Sequence, residues 1–137
     1  MGIFDIFKKV SAKYIDEYKH QDNMKKQIAM VPELLAKLQQ SGITDDSELK
    51  LEYFFYTNAE DKADRLSEKL SVLGYSTEQR PSADSNTDEE ESKKLTLLTG
   101  WSNPVKMAKD KLCQWIKDMC ILGFEQDCEF DGWGTKP

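Results

Sequence analysis

The chain has 137 residues, of which 39% are hydrophobic and 10% aromatic, so it is long enough for one domain with its own core and is not disordered throughout. A net charge of −6 disfavours the phosphate backbone of nucleic acids as the main ligand and favours a basic partner. The sequence has no signal-peptide pattern and no apolar run of about 18 residues, so we expect a cytoplasmic protein without a membrane span.

The first part of the chain predicts a helical extension, which we assign to residues 1–44. Apolar residues recur at three- and four-residue steps over residues 3–18, and a second helical pattern covers about 22–40. Pro32 interrupts that pattern at a position where it can restart a helix, and Gly42 ends it.

A strand, a helix and a second strand follow. Residues 48–56 alternate apolar and polar side chains and are rich in aromatics, which is typical of a strand. Asn58 is predicted to cap a helix that Gly74 ends, and residues 75–80 form the next strand.

The same order repeats after a polar linker. Residues 81–94 lack large apolar side chains and are predicted to be a mobile acidic loop. A strand over 95–101 leads into a helix that begins near Pro104 and ends at Gly123, and the last strand starts at Phe124.

Two β-α-β units in tandem predict an α+β domain over residues 45–137. The expected fold is a ferredoxin-like βαββαβ sandwich with a four-stranded antiparallel sheet and two helices on one face. The other face would be covered by the N-terminal helices or by another molecule. We expect that face to carry Glu52, Phe54, Tyr56, Thr96, Leu98, Asp127 and Glu129.

The final residues, FEQDCEFDGWGTKP, carry the strongest functional signal. Alternation would place acidic side chains together on the uncovered face of the last strand. That face can bind a basic partner or can simply be solvated, and Trp133 can either pack onto the core or anchor a partner. The candidate partner-binding residues are Glu52, Asp127, Glu129, Asp131 and Trp133.

The sequence offers no catalytic, metal or cofactor constellation. His20 is the only histidine and is predicted to be a surface residue. The cysteines at 113, 120 and 128 favour packing over a redox or metal role, because no C-x-x-C motif is present. Phe54 and Tyr56 could stack on RNA bases, but residues 95–101 do not match the motif that such sheets carry.

The run EFDGWGT at residues 129–135, together with LGY at 73–75, resembles the ribonuclease E inhibitor family RraB, the regulators of ribonuclease activity B. The likeness covers roughly residues 33–135, and the DGWGT run is its most specific part. The resemblance implies a compact αβ sandwich related to the ferredoxin-like fold. It also implies a non-enzymatic bacterial protein that binds the C-terminal half of ribonuclease E and inhibits RNA turnover.

A different class of function stays open. A ferredoxin-like domain can also be a small-molecule-binding or self-association module. A homodimer that packs two sheet faces together would bury Phe54, Tyr56 and Leu98. An enzyme has no supporting residues in the sequence and ranks last.

Overall fold

The computed structural model describes residues 12–82 and 95–135. Residues 1–11, most of the predicted acidic loop and the last two residues lie outside this part. The predicted helix over residues 3–18 is therefore described only from residue 12, and it is wrong for residues 12–16, which are not helical. The helices are α1 (Glu17–Ala29), α2 (Val31–Gln40), α3 (Glu60–Val72) and α4 (Lys109–Glu125). The strands are β1 (Glu48–Leu49), β2 (Glu52–Thr57), β3 (Glu78–Ser82), β4 (Leu95–Trp101), β5 (Val105–Lys106) and β6 (Glu129–Gly134).

The main sheet contains four strands in the order β3-β4-β2-β6, and every neighbouring pair is antiparallel. Strands β3 and β6 therefore form its two edges, and β3 contains Pro81. Strands β1 and β5 make a separate two-stranded sheet. The predicted α+β class and four-stranded antiparallel sheet are confirmed.

One face of the sheet carries the hydrophobic core. Leu51, Tyr53 and Phe55 are fully buried, which confirms the predicted alternation in this segment. Leu98 and Phe130 lie directly opposite Phe55 on the neighbouring strands and point to the same side. Helices α3 and α4 cover this face with buried side chains, including Ala63, Leu66, Leu70, Leu112, Ile116 and Met119.

Helices α1 and α2 pack beside α4, and α1 also reaches the β6 edge of the sheet. The Asp16 side chain caps α1 by accepting a hydrogen bond from the Lys19 backbone N–H at 2.8 Å. The Asn23 side chain donates to the Phe130 carbonyl at 2.8 Å, so α1 is fixed along β6. Helix α2 begins at Val31, directly before Pro32, as the proline predicts.

The end of α4 corrects the predicted start of the last strand. Gly123 does not end the helix. It lies inside α4, where a Cβ atom would stand 2.6 Å from the Phe55 ring. The chain turns later, at Asp127, whose φ of 59° is left-handed, and β6 begins only at Glu129. The placement of Asp127 on a strand face is therefore wrong.

Three other placements are also corrected. Leu98 is 1% exposed and belongs to the core, and Thr96 lies opposite the buried Thr57, so neither is on the uncovered face. Val105 and Lys106 were expected in a helix but pair with β1, and α4 starts only at Lys109. These errors share a cause, because pairing between distant segments overrides local periodicity.

Candidate functional site

The sheet face opposite α3 and α4 is called here the outer face. Residues that lie directly opposite each other on antiparallel strands project to the same side, so the register defines its members. They are Glu52, Phe54 and Tyr56 on β2; Leu97, Thr99 and Trp101 on β4; Glu78 and Arg80 on β3; and Glu129 on β6. Its centre is apolar and its margins carry charge.

An acidic rim, formed by Glu129 and Asp131, borders the outer face at β6. Burial raises the pKa of both carboxyl groups, and Asp131 raises the pKa of Glu129 further, while Lys19 partly opposes that effect. The sheet register shifts between Phe54 and Phe55, so Asp131 falls at an irregularity of the strand. The ion pairs formed among residues 12–82 and 95–135 include neither rim carboxylate.

Tyr14 lies beside this rim. Burial, followed by the charges of Glu129 and Asp131, raises the pKa of its hydroxyl to about 12. Its phenol is therefore neutral at physiological pH and can act as a hydrogen-bond donor there. The segment before α1 thus contributes to the rim, a contact that the sequence did not predict.

Asp127 occupies a different environment, called here the anchor cluster, with Ala12, Tyr14, Asn58 and Lys62. Its carboxylate accepts backbone N–H hydrogen bonds from Tyr14 at 2.8 and 3.0 Å and from Ile15 at 3.0 Å. The Lys62 ammonium lies 2.6 Å from an Asp127 oxygen and also donates to the Ala12 carbonyl at 2.9 Å and to Asn58 at 2.8 Å.

The anchor cluster determines the charge state of Asp127. Burial alone would raise the pKa of this carboxyl, but the hydrogen bond from Lys62 and those from the Ile15 and Tyr14 amides lower it below its usual range. Lys62 is itself 5% exposed, so this is a largely buried ion pair whose hydrogen-bonding groups are satisfied. Asn58, predicted as a helix cap, instead donates to the Ala12 carbonyl at 2.9 Å.

The five candidate residues therefore fall into separate places. Glu129 and Asp131 share the acidic rim. Glu52 is on the same face as Glu129 but pairs with Gly134 at the other end of β2. Four residues of β2 separate it from Tyr56, which pairs with Glu129, so the two carboxylates are about 13 Å apart along the strand. Asp127 belongs to the anchor cluster. Trp133 lies opposite Tyr53, projects to the core side and packs against the core while remaining half-buried.

His20 and the cysteines contribute to packing. His20 is 5% exposed and stacks on Phe124 with ring centroids 4.2 Å apart, so the predicted surface location is wrong. Burial lowers the pKa of His20 and raises the pKa of the Cys120 and Cys128 thiols to about 12. In the part of the chain that the structure describes, no group of three or more His, Cys, Asp or Glu residues is placed to hold a metal ion.

The fold and the site define a small α+β sandwich protein whose charged groups gather at the rim of an open sheet face. A family model described as Regulator of ribonuclease activity B (RraB) matches residues 30–135, which is most of the chain. The chain therefore belongs to the RraB family. A search of curated proteins found no match. None of the helices in the described segments is long and apolar enough to cross a membrane.

Proposed function

We propose that this protein is a non-enzymatic regulator that binds ribonuclease E and inhibits RNA turnover. Family membership supports the regulatory role, because the family is described by its effect on ribonuclease activity. We propose further that the contact is made with the basic C-terminal half of ribonuclease E. The protein's net charge of −6 gives such a partner a favourable electrostatic encounter.

The acidic rim is the observation that carries this proposal. Glu129 and Asp131 are held close enough to raise the pKa of Glu129, and burial raises the pKa of both. A lysine or arginine brought to the rim would stabilise both ionised carboxylates, so part of the binding energy would come from relieving this unfavourable arrangement. Phe54 and Tyr56 on the adjoining face offer aromatic surface to an arginine.

Among the five candidate residues, we propose Glu129 and Asp131 as the central contacts and Glu52 as a peripheral one. Asp127 would act indirectly, because its oxygens are already used by Lys62 and two backbone amides. Trp133 would support the rim from the core side, where it packs.

We also propose that residues 45–137 form a ferredoxin-like βαββαβ domain to which residues 1–44 add a helical extension. The succession β2-α3-β3-β4-α4-β6 and the strand order β3-β4-β2-β6 support this arrangement. A cytoplasmic location is proposed with it, since the three cysteines are free thiols.

Calorimetric titration against the C-terminal half of ribonuclease E from the same organism tests the function. The rim variant is Glu129→Lys with Asp131→Lys. The matched control is Glu33→Lys with Glu68→Lys, which makes the same change in net charge at exposed helix positions. We expect roughly a tenfold or greater loss of affinity for the rim variant and a much smaller loss for the control. Equal losses would remove the rim from the proposal, and no binding by the parent protein would refute the partner.

Self-association is the alternative that a specific observation favours. Phe54, Tyr56 and Leu97 form an apolar strip on the outer face, and two such faces could pack together. Light scattering over a range of concentrations separates the two functions, because a dimer would show a concentration-dependent mass.

A further inference from the structure

A short segment before α1 crosses the corner of the sheet where β2 ends and β6 begins. It comprises residues 12–16 and is called here the strap. The Asp127 carboxylate, just before β6, accepts hydrogen bonds from the Tyr14 amide at 2.8 Å and from the Ile15 amide at 3.0 Å. The Thr57 hydroxyl, at the end of β2, donates to the Asp127 carbonyl at 2.9 Å. The strap is therefore held next to the ends of both strands.

The side chains of the strap have different surroundings. Ile15 is buried, whereas the Lys13 ammonium lies over the Phe124 ring, 5.2 Å from its centre. Tyr14 is half-buried and lies beside the acidic rim. Burial and then the charges of the two rim carboxylates raise the pKa of its hydroxyl. Tyr14 is thus the residue that the strap adds to the rim.

A second tyrosine lies at the same corner. Tyr56 pairs with Glu129 across β2 and β6, so their side chains adjoin on the outer face. Tyr56 also contributes to the raised pKa of Tyr14, so the two phenols are close enough to interact. This corner site, as it is called here, contains the rings of Tyr14 and Tyr56 and the carboxylates of Glu129 and Asp131.

The corner site carries negative charge that its neighbours do not neutralise. The ion pairs formed within residues 12–82 and 95–135 include neither Glu129 nor Asp131. Lys19, an exposed residue of α1, only partly offsets the raised pKa of Glu129. The faces of aromatic rings also attract cations. The group that complements this site is therefore a cation.

The combination of rings and carboxylates distinguishes between the two common cations of proteins. A guanidinium group is planar and weakly hydrated, so it can stack on a ring while its N–H groups form paired hydrogen bonds with a carboxylate. A lysine ammonium is compact and strongly hydrated, so it gains less from the rings. The chemistry of the corner site thus favours arginine.

We propose that the corner site binds the guanidinium group of an arginine side chain in preference to a lysine ammonium, with Tyr14 as a contact that the strap supplies. The rim carboxylates neutralise the bound group, and the rings of Tyr14 and Tyr56 contact it. This inference rests on the proposed function only for the identity of the protein that carries the arginine. The preference between the two cations holds for any basic polypeptide.

Titration of the full chain with two synthetic peptides, followed by backbone amide NMR shifts, tests the preference. One peptide alternates arginine with glycine, and the other has lysine at every arginine position. We expect the parent protein to bind the arginine peptide about fivefold more tightly. Tyr14→Leu should reduce this ratio of affinities towards one. The matched control is Tyr18→Leu, which should leave the ratio unchanged because Tyr18 is 77% exposed on α1.

The ratio separates a contact from a structural role. A tyrosine that only maintained the fold would affect both peptides alike, and Tyr14→Phe, which keeps the ring, should retain most of the preference. Equal affinities in the parent protein, no binding of either peptide, or an unchanged ratio in Tyr14→Leu would overturn the proposal. If Tyr14→Leu fails to fold, Tyr56→Leu replaces it under the same criterion.

A parallel titration with the C-terminal half of ribonuclease E keeps this inference separate from the proposed function. An arginine preference without binding of ribonuclease E would refute the proposed partner and support the corner site. Binding of ribonuclease E without an arginine preference would overturn the corner site and leave the proposed partner in place.

Discussion

Asp127 and Glu129 are only two residues apart in sequence, yet they occupy opposite electrostatic environments. Asp127 is surrounded by an ammonium and two backbone amides, which lower its pKa. Glu129 is partly buried and lies near the carboxyl group of Asp131, and both effects raise its pKa. The difference shows that the role of an acidic residue here follows from its partners and not from its place in an acidic run. The carboxylate of the anchor cluster is held in an ion pair, whereas neither rim carboxylate belongs to an ion pair formed within the described residues.

The largest loss of stability is expected from a substitution in the anchor cluster. Lys62→Met removes the ammonium and leaves the Asp127 carboxylate without its counterion, so we expect the free energy of unfolding to fall by about 3 kcal/mol. Chemical denaturation of the full chain measures this change. Arg65→Met is the matched control, because Arg65 is on the same helix and its ion pair with Asp61 is exposed. That variant should change stability by less than about 1 kcal/mol. Similar losses in both variants would contradict the assigned importance of the buried pair.

A smaller loss of stability is expected for Asp127→Asn. Asparagine tolerates the left-handed backbone at this position and keeps a hydrogen-bond acceptor, so the substitution removes mainly the charge. We expect a loss of about 2 kcal/mol, in the range of hydrogen bonds to charged groups. Denaturation combined with the Lys62→Met variant would give the coupling between the two side chains. Strict additivity would mean that the contact at 2.6 Å does not contribute as a pair.

The rim should respond in the opposite direction. Glu129→Gln with Asp131→Asn removes two carboxylates whose ionised forms the fold disfavours, so stability at neutral pH should stay equal or rise by up to about 0.5 kcal/mol. Denaturation under the same conditions as for the anchor variants measures this change. A clear loss of stability would show that the rim is structural and would break the contrast between the two regions.

The smallest effects should appear in the pH dependence. The pKa of Glu129 is raised above its ordinary value of 4.5, so its penalty at neutral pH is relieved as the pH falls through the raised value. The stability difference between Glu129→Gln and the parent should therefore shrink towards pH 4.5. The pKa of Asp127 is lowered from 3.8, so its contribution persists at that pH and is lost only below 3.8. Denaturation series at stepped pH should show that, as the pH falls, the stability difference between Glu129→Gln and the parent vanishes first. The difference between Asp127→Asn and the parent should vanish only at lower pH, and the reverse order would contradict the assigned directions of the two pKa shifts.

Local patterns in the sequence were sufficient for much of the fold. The alternation through Tyr53 and Phe55 predicted a strand with a buried face, and that face is the core. Pro32 predicted the restart of a helix, and α2 starts beside it. These features depend on neighbouring residues only, so a single sequence contains the information.

The candidate site depends on contacts that local patterns do not reveal. Gly123 was expected to end a helix but serves close packing against Phe55, and the turn occurs at Asp127 instead. Lys62 looks like a solvent-exposed helical lysine, and only the folded chain shows it beside Asp127. Glu129 and Asp131 were candidate contact residues from the sequence and remain so, whereas their proximity to Tyr14 was not predicted.

The hydrogen bond from Asn23 to the Phe130 carbonyl has a consequence for the fate of the protein at high concentration. An edge strand with free backbone groups is a template on which further strands can add, and this leads to fibrils or strand exchange. Asn23 occupies one such carbonyl on β6, and Pro81 removes a backbone N–H donor from β3 at the other edge. Neither border of the sheet thus offers an uninterrupted ladder, and growth of the sheet from one molecule to the next is hindered at both ends.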